Sequence, residues 1–502
     1  MPQRPVSLHA PKGSVAAATI KEGLDALIAK AQQDSELAVE FPPGVLAEAE
    51  EAAASWRDRA RDHEDLTAVA FVTLDPESST DLDQAMHLER TGAGYRVHYA
   101  IADVPLFVPL GSALDAEARR RGATVYLPDR RIPLHPPVIS EGAASLLPDQ
   151  EAPAFVWILD LDAKGEVTAV DLRRAIVRSG EKLDYDGVQA QIDAGDPHPM
   201  MALLQEIGDL RAALEVERGG ASLTVPEQEV EADGEHVRLR WRELHPIEDA
   251  NAQISLMTGM AAATIMLEGG AGVLRTMPPA DATNIARFRR QAEVLGIPWA
   301  DGLTYGAFLR TLDWRDPAHL ALLNQAASLF RGASYAAFTT PEEIPEDHEQ
   351  AALAAPYAHT TAPLRRLVDR FVLLACLAHV RGEQLPADLR EALPLLPELM
   401  RESAARGGAL ERDAVSLVET AALEALVGET FSAAVIERRE GKTPTGKDGK
   451  KNGTPSQTRV EVQLTDPPVT AWILIDAEVG TVIQVHLDSV DIPGRTARFS
   501  AA

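Results

Sequence analysis

The stretch Thr73-Leu-Asp-Pro-Glu-Ser-Ser-Thr-Asp-Leu-Asp-Gln-Ala85 is the strongest constraint on this chain's fold. It places Asp75, Asp81 and Asp83 within nine residues, between apolar runs at 67–74 and 95–104. Both runs are rich in β-branched and aromatic residues and read as strands. Pro76, Ser78, Ser79 and Thr80 read as the turn between the acids. In an extended chain, Asp81 and Asp83 point to one face. Carboxylates held that close repel each other, and burying one alone is costly. A hard divalent cation such as Mg²⁺ offsets both effects. An EF-hand Ca²⁺ loop does not fit: Thr80 stands where the sixth-position glycine is needed, and Met86 where the twelfth-position glutamate is needed. The plain alternative is a solvated acidic turn, which has no need of two buried flanks.

Further motifs follow in order. They are Ala100-Ile-Ala-Asp-Val104, Gly122-Ala-Thr-Val-Tyr-Leu-Pro128 with Ile132-Pro133, Ser145-Leu-Leu-Pro148, Tyr357-Ala-His-Thr-Thr-Ala-Pro-Leu-Arg-Arg-Leu-Val-Asp369 and Glu411-Arg412-Asp413. With the acidic stretch, they resemble the signature of the RNB catalytic domain of RNase II and RNase R exoribonucleases. Two departures stand out. Gln84 replaces the family's fourth acid, and His135 stands where the family tends to have an apolar residue.

The resemblance implies a Mg²⁺-dependent 3′→5′ exoribonuclease, with Mn²⁺ as the alternative ion, that releases nucleoside 5′-monophosphates from single-stranded RNA. Asp75, Asp81, Asp83 and Gln84 would hold the metal, with Asp81 and Asp83 also catalytic and Asp83 tied most directly to cleavage. A Gln carbonyl oxygen can still bind Mg²⁺ or its water, without adding charge. The rival reading is a catalytically weakened RNA-binding regulator with a degenerate metal site. Arg365 and Arg366 are catalytic candidates, because a planar guanidinium suits phosphate oxygens and the charge that builds on them. One of them is expected to face the phosphate, with Arg365 preferred, and the other to be structural. An ion pair between Arg365 and Asp369 is the plain alternative. For RNA, Tyr126 would stack on the 3′-terminal bases. Tyr185 and Glu248 (or Asp249) would reach the sugar hydroxyls, His359 would line the channel, and Glu411 would lie near its product end. No second stacking aromatic is evident; Ser222-Leu-Thr-Val-Pro226 offers no ring.

The net charge of −28 argues against a protein that coats duplexes nonspecifically. It permits an enzyme that threads one strand past local basic clusters such as Arg119-Arg-Arg121 and Arg130-Arg131, each of which alone reads as a solvated face. No apolar run reaches the ~18 residues of a membrane span, and residues 1–14 lack a signal-peptide layout. The lone Cys376 rules out an intrachain disulfide and fits a reducing cytoplasm. A monomer is expected.

Three segments are expected. Residues 1–60 are Ala/Glu-rich, with helical periodicity through Ile20, Leu24, Leu27 and Ile28 and a break at Phe41-Pro-Pro-Gly44. They read as a helical module, helix-turn-helix-like or a packing appendage, that contacts RNA or a protein. Nothing there reads as the cold-shock-like barrels that RNase II-type enzymes usually carry, so some tolerance of structured RNA is expected. Residues 61–427 mix strands and helices without a βαβ rhythm, which favours an α+β class, here the RNB catalytic domain. In 428–502, short strands around the polar segment 441–457 read as an OB-fold barrel, at the position of the family's S1-type RNA-binding domain.

Overall fold

The computed structural model describes residues 8–9, 15–35, 37–221, 227–233, 236–440 and 458–502. The polar segment 441–457 and the ringless segment 222–226 lie outside these residues. Five strands form the catalytic core: β1 (Phe71–Asp75), β2 (Gln84–Thr91), β3 (Gly94–Ala102), β4 (Glu151–Asp162) and β5 (Val167–Asp184). They close on themselves in the order β5–β1–β2–β3–β4–β5. Closure depends on the length of β5. Its first part pairs antiparallel with β4, and its last residues, from Ser179 to Asp184, run parallel to β1. Barrel closure of this kind removes the exposed sheet edge.

One seam is nearly open. β1 and β2 share a single register pair, Val72↔Met86, whereas β2 and β3 pair along their whole length. The acids occupy the loop that crosses this seam. β3 shows the alternation of a half-buried strand, with Tyr95, Val97 and Tyr99 inward.

Helices cover the barrel. α1 (Val15–Ser35) and α2 (Pro43–Arg59) do not bury their apolar faces against each other. Ile20, Leu24, Leu27 and Ile28 of α1 join the core around Leu417 and Val418. Val45, Ala49, Ala52 and Trp56 of α2 pack with Val104, Leu106 and Phe107. A helix-turn-helix pair would share one core, so these helices are placed as two separate braces. Next come α3 (Ala113–Arg121), α4 (Pro246–Gly269), α5 (Leu367–Val380) and α6 (Leu396–Leu423). α4 is, among the described residues, the one helix apolar and long enough to cross a membrane, and half of that stretch is buried inside the fold. Small residues let it pack closely: a Cβ on Gly259 would meet the Tyr357 ring at 2.2 Å. α5 begins at Leu367, not near 362 as the apolar pattern implies, because residues 363–366 form a turn. That turn is pinned by the Thr124 N–H donating to the Arg365 carbonyl at 3.0 Å.

The C-terminal sheet has five strands: β6 (Thr430–Arg439), β7 (Arg459–Leu464), β8 (Thr470–Ile473), β9 (Val482–Asp491) and β10 (Thr496–Ala501). Their order is β8–β7–β6–β9–β10, and β8 approaches β10, so the sheet nearly closes as a small barrel.

His135 makes the core pH-sensitive. It is 1% exposed, and burial, helped by the nearby Arg370 guanidinium, pushes its pKa down to about 3. In the unfolded chain a histidine titrates near 6.5. The stability from keeping it neutral is therefore present above that value and is lost as pH falls toward 3. Each pH unit in that window costs up to about 1.4 kcal/mol. His135→Leu should flatten the fall in melting temperature between pH 7.5 and 5.5. An unchanged pH slope in that variant would contradict this account.

Candidate active site

The acids are built into the open seam. Asp75 is the last residue of β1, registered against Asp184 of β5, and Gln84 is the first residue of β2. Ser145 fixes the loop between them: its Oγ donates to the Thr80 carbonyl at 2.8 Å and accepts from the Leu82 N–H at 2.9 Å. The Leu146 N–H donates to the Leu82 carbonyl at 3.0 Å, and the Ala102 N–H to the Asp83 carbonyl at 2.9 Å. Leu82 is fully buried, which commits its two neighbours to the opposite side of the extended chain.

Asp83 is 4% exposed. Its Oδ1 accepts from the Leu364 N–H at 2.7 Å, and its Oδ2 lies 3.5 Å from Arg365 Nε. Burial pushes this carboxyl well above the usual carboxylate range. Arg365 and the Leu364 N–H oppose that shift, while Asp81 and Asp369 add to it. Asp81 faces Tyr126, whose hydroxyl donates to Asp81 Oδ2 at 3.3 Å, and Arg131, which donates to Oδ1. Burial and then Asp81 push the Tyr126 phenol upward, with Asp83 adding to this. Gln84 is held at both ends: its Nε2 donates to the Thr361 carbonyl, and its Oε1 accepts from the Tyr99 hydroxyl at 2.8 Å. Burial raises the Tyr99 pKa well above its usual value, and Tyr185, Asp75 and Asp83 raise it further.

The Tyr99 hydroxyl thus donates to Gln84 Oε1 and feels the charges of Asp75 and Asp83. The oxygens of Asp75, Asp83 and Gln84 suit a hard cation, and these three would hold it. Asp81 differs from Asp83 in its partners: a guanidinium and a phenol hydrogen-bond its two oxygens, whereas Asp83 accepts a backbone N–H and has Arg365 at 3.5 Å. Among the described residues, no three His, Cys, Asp or Glu side chains converge closely enough to form an ion site.

The RNB domain model matches residues 63–381, well over half the chain. The chain belongs to the RNB family. The model of the RNase II-type exonuclease C-terminal S1 domain matches residues 429–502, which accounts for the five-stranded barrel. Ribonuclease R of Escherichia coli is 29% identical over 324 residues, 61% of this chain and 39% of that protein. The inactive exonuclease DIS3L2 of Arabidopsis thaliana is 42% identical over 130 residues, 26% of this chain and 12% of that protein. The chain thus spans under two fifths of the length of these curated relatives. Mycoplasma genitalium RNase R, solved in complex with double-stranded RNA, superposes with a TM-score of 0.80 at 19% identity. That match covers 96% of this chain and 83% of the other.

Within the RNB domain the remaining candidates separate. Arg365, with a side chain 40% exposed, faces Asp83. Arg366 does not share that position. Its Nε and Nη2 donate to the two oxygens of fully buried Asp369, at 3.0 and 2.8 Å. The ion pair is three residues apart, not the four-residue Arg365–Asp369 pair, because α5 starts only after Arg366. Tyr185 is buried, and its hydroxyl accepts from Asn251 Nδ2 at 3.0 Å. Glu411 lies behind Tyr126, accepting its backbone N–H at 3.3 Å.

Two of the candidates already have partners within the chain. Glu248 is committed to the start of α4, where its Oε1 accepts from Arg242 Nη2 at 2.7 Å and from the His245 N–H at 3.1 Å. It acts as a helix cap, and Asp249 beside it is exposed. His359 is a packed scaffold residue. Its Nδ1 is 2.7 Å from the Tyr335 hydroxyl, and the Tyr335 and Tyr357 rings stand edge-on to it. Burial, with Arg366 and Arg275 adding to it, drives its pKa well below the usual value. Sequence reasoning passed over Tyr99, which looked like one more apolar position of β3, and Arg131, which looked like surface charge. Asp103 of the Ala-Ile-Ala-Asp-Val motif is a fully buried scaffold acid that caps a short helix and pairs with Arg174.

Proposed function

We propose that this chain is a 3′→5′ exoribonuclease that hydrolyses single-stranded RNA to nucleoside 5′-monophosphates with the help of a divalent cation, Mg²⁺ or in its place Mn²⁺. The observation that carries the proposal is buried Asp83 set between the Leu364 N–H and Arg365, with Tyr126 alongside. A cation bound at Asp75, Asp83 and Gln84 would polarise the scissile phosphate and the attacking water. The rest belongs to the chain. Asp83 is placed to orient the attacking water and take up its proton. Arg365 offers its half-exposed guanidinium to the phosphate oxygens as charge builds there. The Tyr126 ring stacks on the terminal bases, held by its hydroxyl on Asp81 and its N–H on Glu411. Tyr185 and Asn251 present a hydroxyl and an amide that can read sugar hydroxyls. The C-terminal barrel would guide the incoming strand. Buried Cys376, the only cysteine, fits a monomer working in the cytoplasm. The N-terminal braces remain candidates for contact with RNA or a protein.

Structured RNA should be tolerated. The duplex bound by the Mycoplasma relative supports this. A duplex with a 3′ overhang should be digested into its paired region, and a stop at the junction after the overhang is trimmed would sink the idea. The second reading, an RNA-binding regulator, draws on Gln84 and on the inactive Arabidopsis relative. Labelled RNA with Mg²⁺ separates the two: binding without nucleotide release supports the regulator.

A further inference from the structure

We propose that Arg131 is a built-in counter-cation for Asp81, withholding that carboxylate from the metal and tying it to Tyr126. The proposal rests on reading Asp75, Asp83 and Gln84 as the residues that hold the ion. Asp81 Oδ1 accepts from Arg131, and Oδ2 accepts from the Tyr126 hydroxyl at 3.3 Å. Neither oxygen needs a metal to be satisfied. The guanidinium is itself fixed in place. Its Nε donates to Glu141 Oε1 at 3.1 Å, its Nη2 lies 2.8 Å from the same oxygen, and Nη2 also reaches the Thr80 hydroxyl. That hydroxyl donates to the other oxygen of Glu141 at 3.2 Å, which closes a ring of one acid, a hydroxyl and the guanidinium, with Asp81 held on Nη1 outside it. A fork held this way is pre-organised, and a lysine could not reproduce its geometry.

The electrostatics run in one direction. The side chains of Arg131 and Asp81 are 23% and 11% exposed, so salt screens them only in part. Arg131 adds a fixed positive charge beside the metal-binding acids, and Gln84 contributes no negative one. Asp81 then serves as the joint between the loop of acids and the stacking tyrosine, and Arg131 is the residue that positions it.

Calorimetric titration of the full chain with Mn²⁺, without RNA, tests this. Arg131→Gln should bind Mn²⁺ about tenfold more tightly than wild type, because Asp81 is released to act as a ligand. Asp81→Asn should change the affinity by less than about threefold, and the double variant should show no gain over Asp81→Asn. An Arg131→Gln protein that binds no more tightly, or an Asp81→Asn protein weakened beyond threefold, would overturn the assignment. If Arg131→Gln does not fold, the Asp81→Asn result decides alone. A wild-type chain that takes up no Mn²⁺ overturns the metal reading itself, a different failure from Mn²⁺ binding that ignores Arg131.

Discussion

Asp83→Asn should lower the rate of RNA hydrolysis on the order of 10³-fold, the scale of a lost acid–base group, while short RNA still binds. The same change should raise the melting temperature of the metal-free chain at neutral pH. The reason is the cost that Asp83 imposes. Its carboxyl is 4% exposed, and burial holds its pKa well above the usual range. A carboxyl shifted in that direction favours the folded state most at low pH, below its solution pKa. That contribution is lost as pH rises through the folded value. At neutral pH that stabilisation is reduced, so Asp83 costs the free chain, and the asparagine removes this cost while keeping an oxygen for the Leu364 N–H. Loss of activity with gain of stability marks a functional acid. Loss of both, by melting curve and assay, would mark a structural one.

Arg365 and Arg366 should fail in opposite ways. Arg365→Ala should reduce hydrolysis by roughly 10²-fold or more, the loss found when a donor to a developing oxyanion is removed. Its melting temperature should hardly move, because the side chain is 40% exposed and touches Asp83 only at 3.5 Å. Arg366→Ala leaves fully buried Asp369 without its counter-charge and its two guanidinium donors, keeping the Ala362 N–H at 2.7 Å. Breaking a buried pair from one side costs about 3–5 kcal/mol, so the chain should melt at a much lower temperature. Activity measured well below that temperature should be largely kept. Equal melting curves for the two variants would contradict the division of labour.

Why one arginine of an adjacent pair differs from its neighbour was only half legible in the sequence. Adjacent residues point apart in any regular backbone, so a split was expected. Which residue pairs with Asp369 depended on the start of α5, and that start is set by residues 122–124, far away in the chain. Glu248 carries a second role that the sequence also held. Its acid lies in the first turn after Pro246, the position of a helix-capping acid, and the motif drew attention away from that simpler role. Arg131 looked like surface charge because nothing local says that residues 80 and 131 meet. The acids themselves were readable because turn, spacing and flanking strands all lie within one short segment. β10 went unpredicted, since Phe499 is the one buried residue of its six and carries little periodic signal. The closure of the barrel through both halves of β5 is a tertiary fact that no local pattern encodes.

The most direct test of the account is a single assay. RNA labelled at its 5′ end is incubated with the wild-type chain and Mg²⁺, and both the RNA and the released nucleotides are resolved over time. The account predicts stepwise shortening from the 3′ end with nucleoside 5′-monophosphates accumulating, and no shortening when Mg²⁺ is chelated. RNA that is bound yet stays at full length in the presence of Mg²⁺ would contradict it.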